Sequence, residues 1–216
     1  MPHPQNPRHS GANSRQLLRA SCEAVNGLAL GLWAGVILMV GVTAAVTFPL
    51  MADLDVRVPG YEAYDGAQHR IAAGQVLNQA FAISDWLGMV ALLIGVACIG
   101  GLWFAGPPAF RTMRAGLVLR LTSFGALAVL TLFQTFAFRP SLHRSFEELW
   151  QAAEAGENQR AEQVRDALAP QHAKASFMLT TQFALVLIAG LSAGFDAAST
   201  SGASTPRPTD SDGASA

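Results

Sequence analysis

The sequence carries little charge. Only 13% of its 216 residues are Asp, Glu, Lys or Arg, about half the share of a typical soluble domain, while 51% are hydrophobic. The charges also lie almost wholly between four apolar blocks, whereas a soluble amphipathic helix carries polar residues in nearly every turn. This distribution argues against a soluble globular domain and indicates a membrane protein.

Cysteines and recognisable catalytic motifs are scarce as well. Cys22 and Cys98 form neither a CxxC pair nor a disulfide framework, and free cysteines usually pack as small hydrophobic residues. A formal net charge of −1, without a basic patch interleaved with aromatics, argues against nucleic-acid binding. The sequence has no nucleotide-binding loop, nucleophile elbow or catalytic triad signature, so we expect no enzyme activity and no cofactor.

The apolar blocks predict an all-α fold, a four-helix transmembrane bundle with spans at about residues 25–48, 86–104, 117–138 and 175–195. Each span is near the ~20 residues that cross ~30 Å of hydrocarbon. The spans must be helical because lipid cannot satisfy unpaired backbone groups. The first block is longer than the apolar core of a cleaved signal peptide, so we interpret it as a retained anchor.

The blocks divide the chain into a membrane domain, residues 21–196, and two polar tails, residues 1–20 and 197–216, whose composition predicts disorder. Arginines flank the membrane ends on the side of the tails; they are Arg8, Arg15, Arg19, Arg111, Arg114 and Arg120. The two long loops, residues 50–85 and 139–174, hold more acidic residues. The positive-inside rule therefore places both termini in the cytoplasm and the long loops outside.

Regularly spaced glycines indicate where helices pack closely. Gly27, Gly31 and Gly35 share one face of the first span, and Gly88 and Gly95 share one face of the second. We interpret the face of the first span as a packing seam. Its partner is the second span, the fourth span or a second copy of the chain.

The second long loop has a helical pattern. Its apolar residues lie on one helical face; they are Leu142, Phe146, Leu149, Trp150 and Ala153. We expect a helix that begins at Ser141 or Ser145, an interruption at Gly156, and a kink or restart at Pro170. This pattern predicts an extramembrane helical hairpin between spans three and four. Its apolar face packs on itself, on the first long loop or on lipid headgroups, or else binds a partner protein.

Polar side chains near the membrane cluster toward the outer side and predict an outward-facing polar pocket. The candidate pocket residues are Asp85, Asn78, Gln134 and Gln182. Asp85 lies seven residues from Asn78 and so shares its helical face. Asp85 either binds a cation or proton, or pairs with an arginine such as Arg139, or is a solvated residue at a helix start.

Three histidines in the long loops are candidate metal ligands, namely His69, His143 and His172. Neutral imidazoles suit Zn, Cu or haem iron, and Asp65 lies four residues before His69, on one face if that stretch is helical. The alternative is that these histidines cap helices or lie at the membrane interface. Haem between helices would need histidines inside the spans, which have none.

Short motifs accompany the four spans: Ala73-Gly74-Gln75-Val76 before the second span, Pro140 after the third, and His172 with Ser176 at the start of the fourth. With these motifs the chain resembles an uncharacterised family of small four-span bacterial membrane proteins. That family is related to the eukaryotic transmembrane protein associated with platinum-drug resistance. The resemblance implies the architecture and the bacterial inner membrane, but no enzyme activity and no ligand.

Three hypotheses for function follow. The first is a non-enzymatic scaffold or interaction module in the lipid bilayer, acting on a membrane-protein partner or as a homo-oligomer. The second is a small-solute or metal-handling permease that uses the outward-facing polar pocket. The third is a haem- or metal-binding redox subunit.

Overall fold

The structure is a computed structural model that describes the backbone of residues 8–105 and 115–201, and the side chains of residues 14–104, 116 and 118–192. Its elements are α1 (Arg8–Asp53), α2 (Gln68–Ala105), α3 (Ala115–Phe133), a π-helical segment (Gln134–Phe138), α4 (Arg139–Glu154) and α5 (Asn158–Ser201). The described residues contain no β-strand. The predicted all-α fold class is therefore confirmed.

Four helical stretches are long and apolar enough to cross a membrane; they are Ser14–Asp53, Gln68–Phe104, Val118–Glu154 and Asn158–Ser192. The helices to which these stretches belong contain the four predicted spans, and the helical backbone runs further than each apolar block. The backbone of α1 starts at Arg8 and that of α5 ends at Ser201, so helix enters both predicted tails. Residues 1–7, 106–114 and 202–216, which include the short arginine-bearing loop and most of the C-terminal tail, lie outside the described residues.

Pro49 lies inside α1 and Pro170 lies inside α5. The first span was predicted to end near residue 48, but α1 continues through Pro49 to Asp53. Likewise the chain does not restart at Pro170, because α5 runs without a break from Asn158. A proline removes one intrahelical hydrogen bond while its φ stays close to the helical value. In α5 the buried Leu168, just before the proline, helps to hold the helix in place.

The helices pack side by side. α1 lies between α2 and α5, and α3 packs mainly on α5. Large side chains fill the centre, where Trp33, Leu127 and Val186 are each at most 3% exposed. We call the end that carries residues 54–67 and the α4–α5 turn the loop end, and the opposite end the terminal end.

Among the described residues, no neighbouring helix packs against the glycine face of α1. A Cβ atom added at Gly27, Gly31 or Gly35 would meet nothing within 4 Å. The close approach occurs instead on α2, where a Cβ at Gly88 would lie 2.9 Å from Trp33 Nε1. The glycine spacing correctly identified residues that share one face of a helix. Close packing, however, occurs at the α2 glycines, where the large side chains Trp33 and Phe124 lie against the helix.

This difference predicts opposite outcomes for two matched glycine substitutions. A Cβ at Gly95 would lie 2.4 Å from the ring of Phe124, which is itself buried. We expect Gly95→Ala to lower the free energy of unfolding by about 2 kcal/mol, through overpacking. Gly27→Ala should instead raise it by about 0.5–1 kcal/mol, because alanine loses less backbone freedom than glycine in a helix interior. Unfolding by SDS titration in mixed micelles measures both, and equal effects would contradict the assigned packing.

The segment before α2 is ordered by side-chain hydrogen bonds to its backbone. The Gln68 side chain accepts from Val58 N at 3.1 Å and donates to Tyr61 O at 2.7 Å. Asn158, at the start of α5, accepts from Asp65 N at 3.0 Å and donates to the Asp65 carboxylate at 3.0 Å. These bonds tie the first long loop to the α4–α5 turn.

A second apolar cluster lies at this loop end. Tyr61 and Tyr64 pack with Ile71 of α2 and with the buried alanines Ala153 and Ala161. Gly156 makes the turn between α4 and α5 with a φ of +71°, which matches the predicted interruption. Part of the apolar face of α4 therefore packs on the first long loop.

The predicted start of the loop helix is wrong. α4 begins at Arg139, directly after the π-helical segment, so neither Ser141 nor Ser145 caps it. Ser145 Oγ instead donates to Ser141 O at 3.3 Å, inside the helix. No cap is needed because the preceding segment is already helical and its carbonyl groups accept the first N–H bonds of α4.

Candidate functional site

An open cavity of about 970 Å³ lies at the loop end, lined by residues of α1, α2, the π-helical segment, α4 and α5. Its walls are largely apolar and aromatic; they include Phe48, Phe81, Phe138, Leu142, Phe146, Leu149, Leu168, Met178 and Leu179. On α2 the lining residues run from the loop end inward and stop at Asp85. We call the polar side chains around Asp85 the cavity floor.

The cavity floor is organised by an ion pair between Asp85 of α2 and Arg139 of α4. Arg139 Nη1 lies 2.7 Å from Asp85 Oδ2, and the two side chains are 21% and 10% exposed respectively. Arg139 Nη2 donates to the Asn78 carbonyl at 2.7 Å, and Gln134 Nε2 donates to Asp85 Oδ1 at 3.0 Å. The pair therefore joins two helices that lie far apart in the sequence.

The π-helical segment brings Gln134 and Arg139 to the same carboxylate. In an α-helix, residues five apart point about 140° away from each other around the axis. Here the Arg139 N–H donates to Gln134 O, which is the five-residue hydrogen bond of a π-helix. Residues five apart therefore lie on about the same side of the helix, one turn apart. Both side chains can then reach Asp85.

The structure brings together three of the four predicted pocket residues. Asp85, Asn78 and Gln134 meet at the cavity floor, with Arg139 as the partner of Asp85. Asp85 lies in the interior of α2, so its interpretation as a helix-start residue is wrong. Gln182 does not line the cavity; it is 4% exposed and donates to Thr131 Oγ1 at 3.3 Å, one turn deeper.

The three histidines all line the cavity but do not form a metal centre. His143 Nε2 lies 3.2 Å from Glu147 on the same helix, and the His172 ring lies 5.9 Å from that of Phe146. Across the described residues, no group of three His, Cys, Asp or Glu side chains could hold a metal ion. Asp65 precedes the start of α2 and bonds to Asn158, so it does not join His69 on a helical face.

Burial changes the proton affinity of two groups that line the cavity outside the predicted apolar spans. Burial lowers the pKa of His172, which favours the neutral imidazole. Burial also raises the pKa of Tyr64, as does the nearby Glu162 carboxylate, so its hydroxyl stays protonated. Both groups are therefore uncharged hydrogen-bonding groups near neutral pH.

A second ion pair lies at the terminal end. Arg120 of α3 is 2% exposed, and its Nη1 lies 3.0 Å from Glu23 Oε2 of α1. The Nε and Nη2 atoms of Arg120 have no hydrogen-bond partner among the described residues, and neither does the side-chain amide of Asn26, which is fully buried. Sequence reasoning missed this cluster, although Asn26 is a polar residue inside an apolar block and lies three residues after Glu23.

Comparison with known proteins adds no relative: the chain matches no family model, no curated protein and no solved structure.

Proposed function

We propose that this chain is a non-enzymatic, multi-pass protein of the bacterial inner membrane that binds a small amphipathic molecule in the loop-end cavity. The observation that carries the proposal is a cavity of about 970 Å³ with apolar walls and the Asp85–Arg139 pair at its floor. The four apolar helices form the membrane bundle, and the loop end faces outward.

The size and chemistry of the cavity support a ligand of this class. Pockets that bind small molecules usually span about 300–1,000 Å³ and combine apolar walls with a few well-placed polar groups. Aromatic residues such as Phe81 and Phe146 offer flat apolar surface to a hydrocarbon or ring system. Gln134 and Asn78 offer amide groups at the floor.

The charges on the cavity wall favour an anionic head group. Arg70, Arg139 and Arg165 line the cavity. Arg139 is paired with Asp85, and Arg165 with Glu162 and Asp166, so Arg70 is the lining arginine without an ion pair among the described residues. Arginine also recognises carboxylate and phosphate groups through paired hydrogen bonds. A single-chain amphiphile with a carboxylate or phosphate head fits this lining.

Packing in the interior favours binding over passage through the bundle. Between the cavity and the terminal end the centre is filled by Leu127, Val186 and Ala189, each at most 2% exposed. A polar solute would have to displace these side chains to cross. The permease hypothesis therefore needs a second conformation in which the centre of the bundle is open. Binding of a ligand in the cavity needs only the conformation described.

The scaffold hypothesis loses part of its expected docking surface. Leu142, Phe146 and Leu149 of α4 line the cavity, and Ala153 packs on Tyr64 and its neighbours. The apolar face of α4, for which a partner protein was one of the alternatives, is thus largely directed into the chain itself. A ligand in the cavity would complete the packing of that face.

Filling the cavity tests the proposal. Gly74 lines the cavity, and a Cβ there would meet nothing within 4 Å, so Gly74→Phe adds a ring to the cavity without a backbone clash. We expect it to weaken binding of a dansyl-labelled undecanoic acid by at least about tenfold, or ~1.4 kcal/mol. Fluorescence titration of the protein in nanodiscs, against empty nanodiscs, measures the affinity.

Gly41→Phe is the matched control, because Gly41 is exposed on α1 outside the cavity and is equally open. It should bind the probe as the wild type does. Wild-type binding no stronger than that of empty nanodiscs, or equal loss in both variants, would contradict the proposal. Equal thermal unfolding of the two variants checks that any difference reports the cavity.

A further inference from the structure

The two cysteines of the chain meet at the terminal end. Cys22 of α1 and Cys98 of α2 are both free, and their thiols are close enough to act as hydrogen-bond partners. Cys22 Sγ also lies 2.9 Å from the position that a Cβ on Gly101 would occupy. Because Gly101 lies one helical turn beyond Cys98, this contact places the Cys22 sulfur against that part of α2.

The surroundings of the two sulfur atoms favour a close approach of α1 and α2. A disulfide needs Cα atoms about 4.4–6.8 Å apart, a spacing that helices reach only where small residues let their backbones approach. Gly101 supplies that small residue, and α1 and α2 are the most extensively packed helix pair in the structure. The disulfide would join two different helices, α1 and α2, rather than two residues of the same helix.

The two thiols differ in access. Cys98 is 7% exposed, whereas Cys22 is half-buried and lies close to the end of the apolar block that begins near residue 25. A small polar oxidant from the aqueous phase therefore reaches Cys22 first. The buried Cys98 can react only with a group that Cys22 presents to it.

We propose that Cys22 and Cys98 form a redox pair in which Cys22 reacts with a hydroperoxide and Cys98 resolves the product into an intramolecular disulfide. Cys22, as the thiolate, attacks one oxygen of hydrogen peroxide. The O–O bond breaks, the sulfur becomes a sulfenic acid, and the departing hydroxide takes a proton to leave as water. Cys98 then attacks the Cys22 sulfur, the S–S bond forms, and a second water leaves with the Cys98 proton.

Hydrogen peroxide is the oxidant: it accepts two electrons and yields two water molecules. The two thiols lose these electrons and become one disulfide. A thiol reductant reverses it. The disulfide joins α1 covalently to α2 beside the Glu23–Arg120 pair, which already joins α1 to α3. The inference rests on the terminal end alone and is independent of the ligand proposed for the loop-end cavity.

Mass spectrometry of the purified full-length protein tests the pair. After reduction and treatment with hydrogen peroxide, the wild type should lose two hydrogen atoms, and its maleimide-reactive thiols should fall from two to none. Dithiothreitol should restore both. In Cys98→Ser the sulfenic acid on Cys22 should persist and add dimedone, whereas Cys22→Ser should leave Cys98 unlabelled.

The double variant Ala97→Cys/Cys98→Ala is a matched control, because Ala97 is exposed on another face of the same turn. It keeps two thiols but should form no intramolecular disulfide. Wild-type protein that keeps both thiols, or that links only copies to one another, would overturn the proposal. Peptide mapping of the wild-type link decides the matter even if a variant fails to fold.

Discussion

Replacing Asp85 by alanine is expected to lower the free energy of unfolding by about 3 kcal/mol, because it leaves the largely buried Arg139 charge without a carboxylate partner among the described residues. The Asp85 side chain is only 10% exposed, and it accepts hydrogen bonds from both Arg139 and Gln134. SDS titration of the detergent-solubilised protein measures the loss.

A double-mutant cycle separates the ion pair from general packing. In Asp85→Ala/Arg139→Met the buried charge is gone, so the loss should be clearly smaller than the sum of the two single losses. Arg160→Ala is the control for an exposed pair; its side chain is 62% exposed beside Glu157, and its removal should cost less than about 0.5 kcal/mol. Additive losses in the cycle would show that the pair is not coupled.

Replacing Glu23 by alanine should have the largest effect on stability, about 4 kcal/mol. Its partner Arg120 is more deeply buried than Arg139, at 2% exposure. Two of the guanidinium nitrogens, Nε and Nη2, already have no hydrogen-bond partner among the described residues. Without Glu23, that cation would also lose its only described carboxylate partner.

The same reasoning predicts a rescue. Arg120→Met in the Glu23→Ala background removes the uncompensated charge and keeps a similar side-chain length, so most of the lost stability should return. Glu23→Gln retains hydrogen bonding and should lie between the wild type and Glu23→Ala. A double variant as unstable as Glu23→Ala would show that the charge of Arg120 is not the cause. Each variant is measured by SDS titration against the wild type.

The four apolar helices were predictable because lipid requires long apolar stretches, which hydropathy detects directly. Their boundaries were not, since a helix can continue into water with ordinary polar residues. α2 shows the difference: its apolar block begins near Trp86, but the helix begins at Gln68. The side chains between them, such as Asn78, were therefore assigned to a loop.

Helical periodicity also identified part of the candidate site. The seven-residue spacing placed Asn78 and Asp85 on one face, and both lie at the cavity floor. The position of Arg139 depended on a local π-helical geometry that no pattern in the sequence indicates. Likewise the glycine spacing on α1 could not show whether another helix covers that face, because this depends on tertiary packing; in the part of the chain that the structure describes, none does.

The π-helical segment Gln134–Phe138 amounts to one extra residue inserted into an otherwise regular helix. Deleting one residue there would restore an α-helix and rotate everything downstream by about 100°. Arg139 would no longer reach the Asp85 carboxylate, and Ala153 would no longer pack in the cluster with Tyr64. Inserting or deleting one residue within this segment should therefore disrupt the cavity more than most single substitutions do. We expect homologues that share the cavity to keep the length of this segment constant.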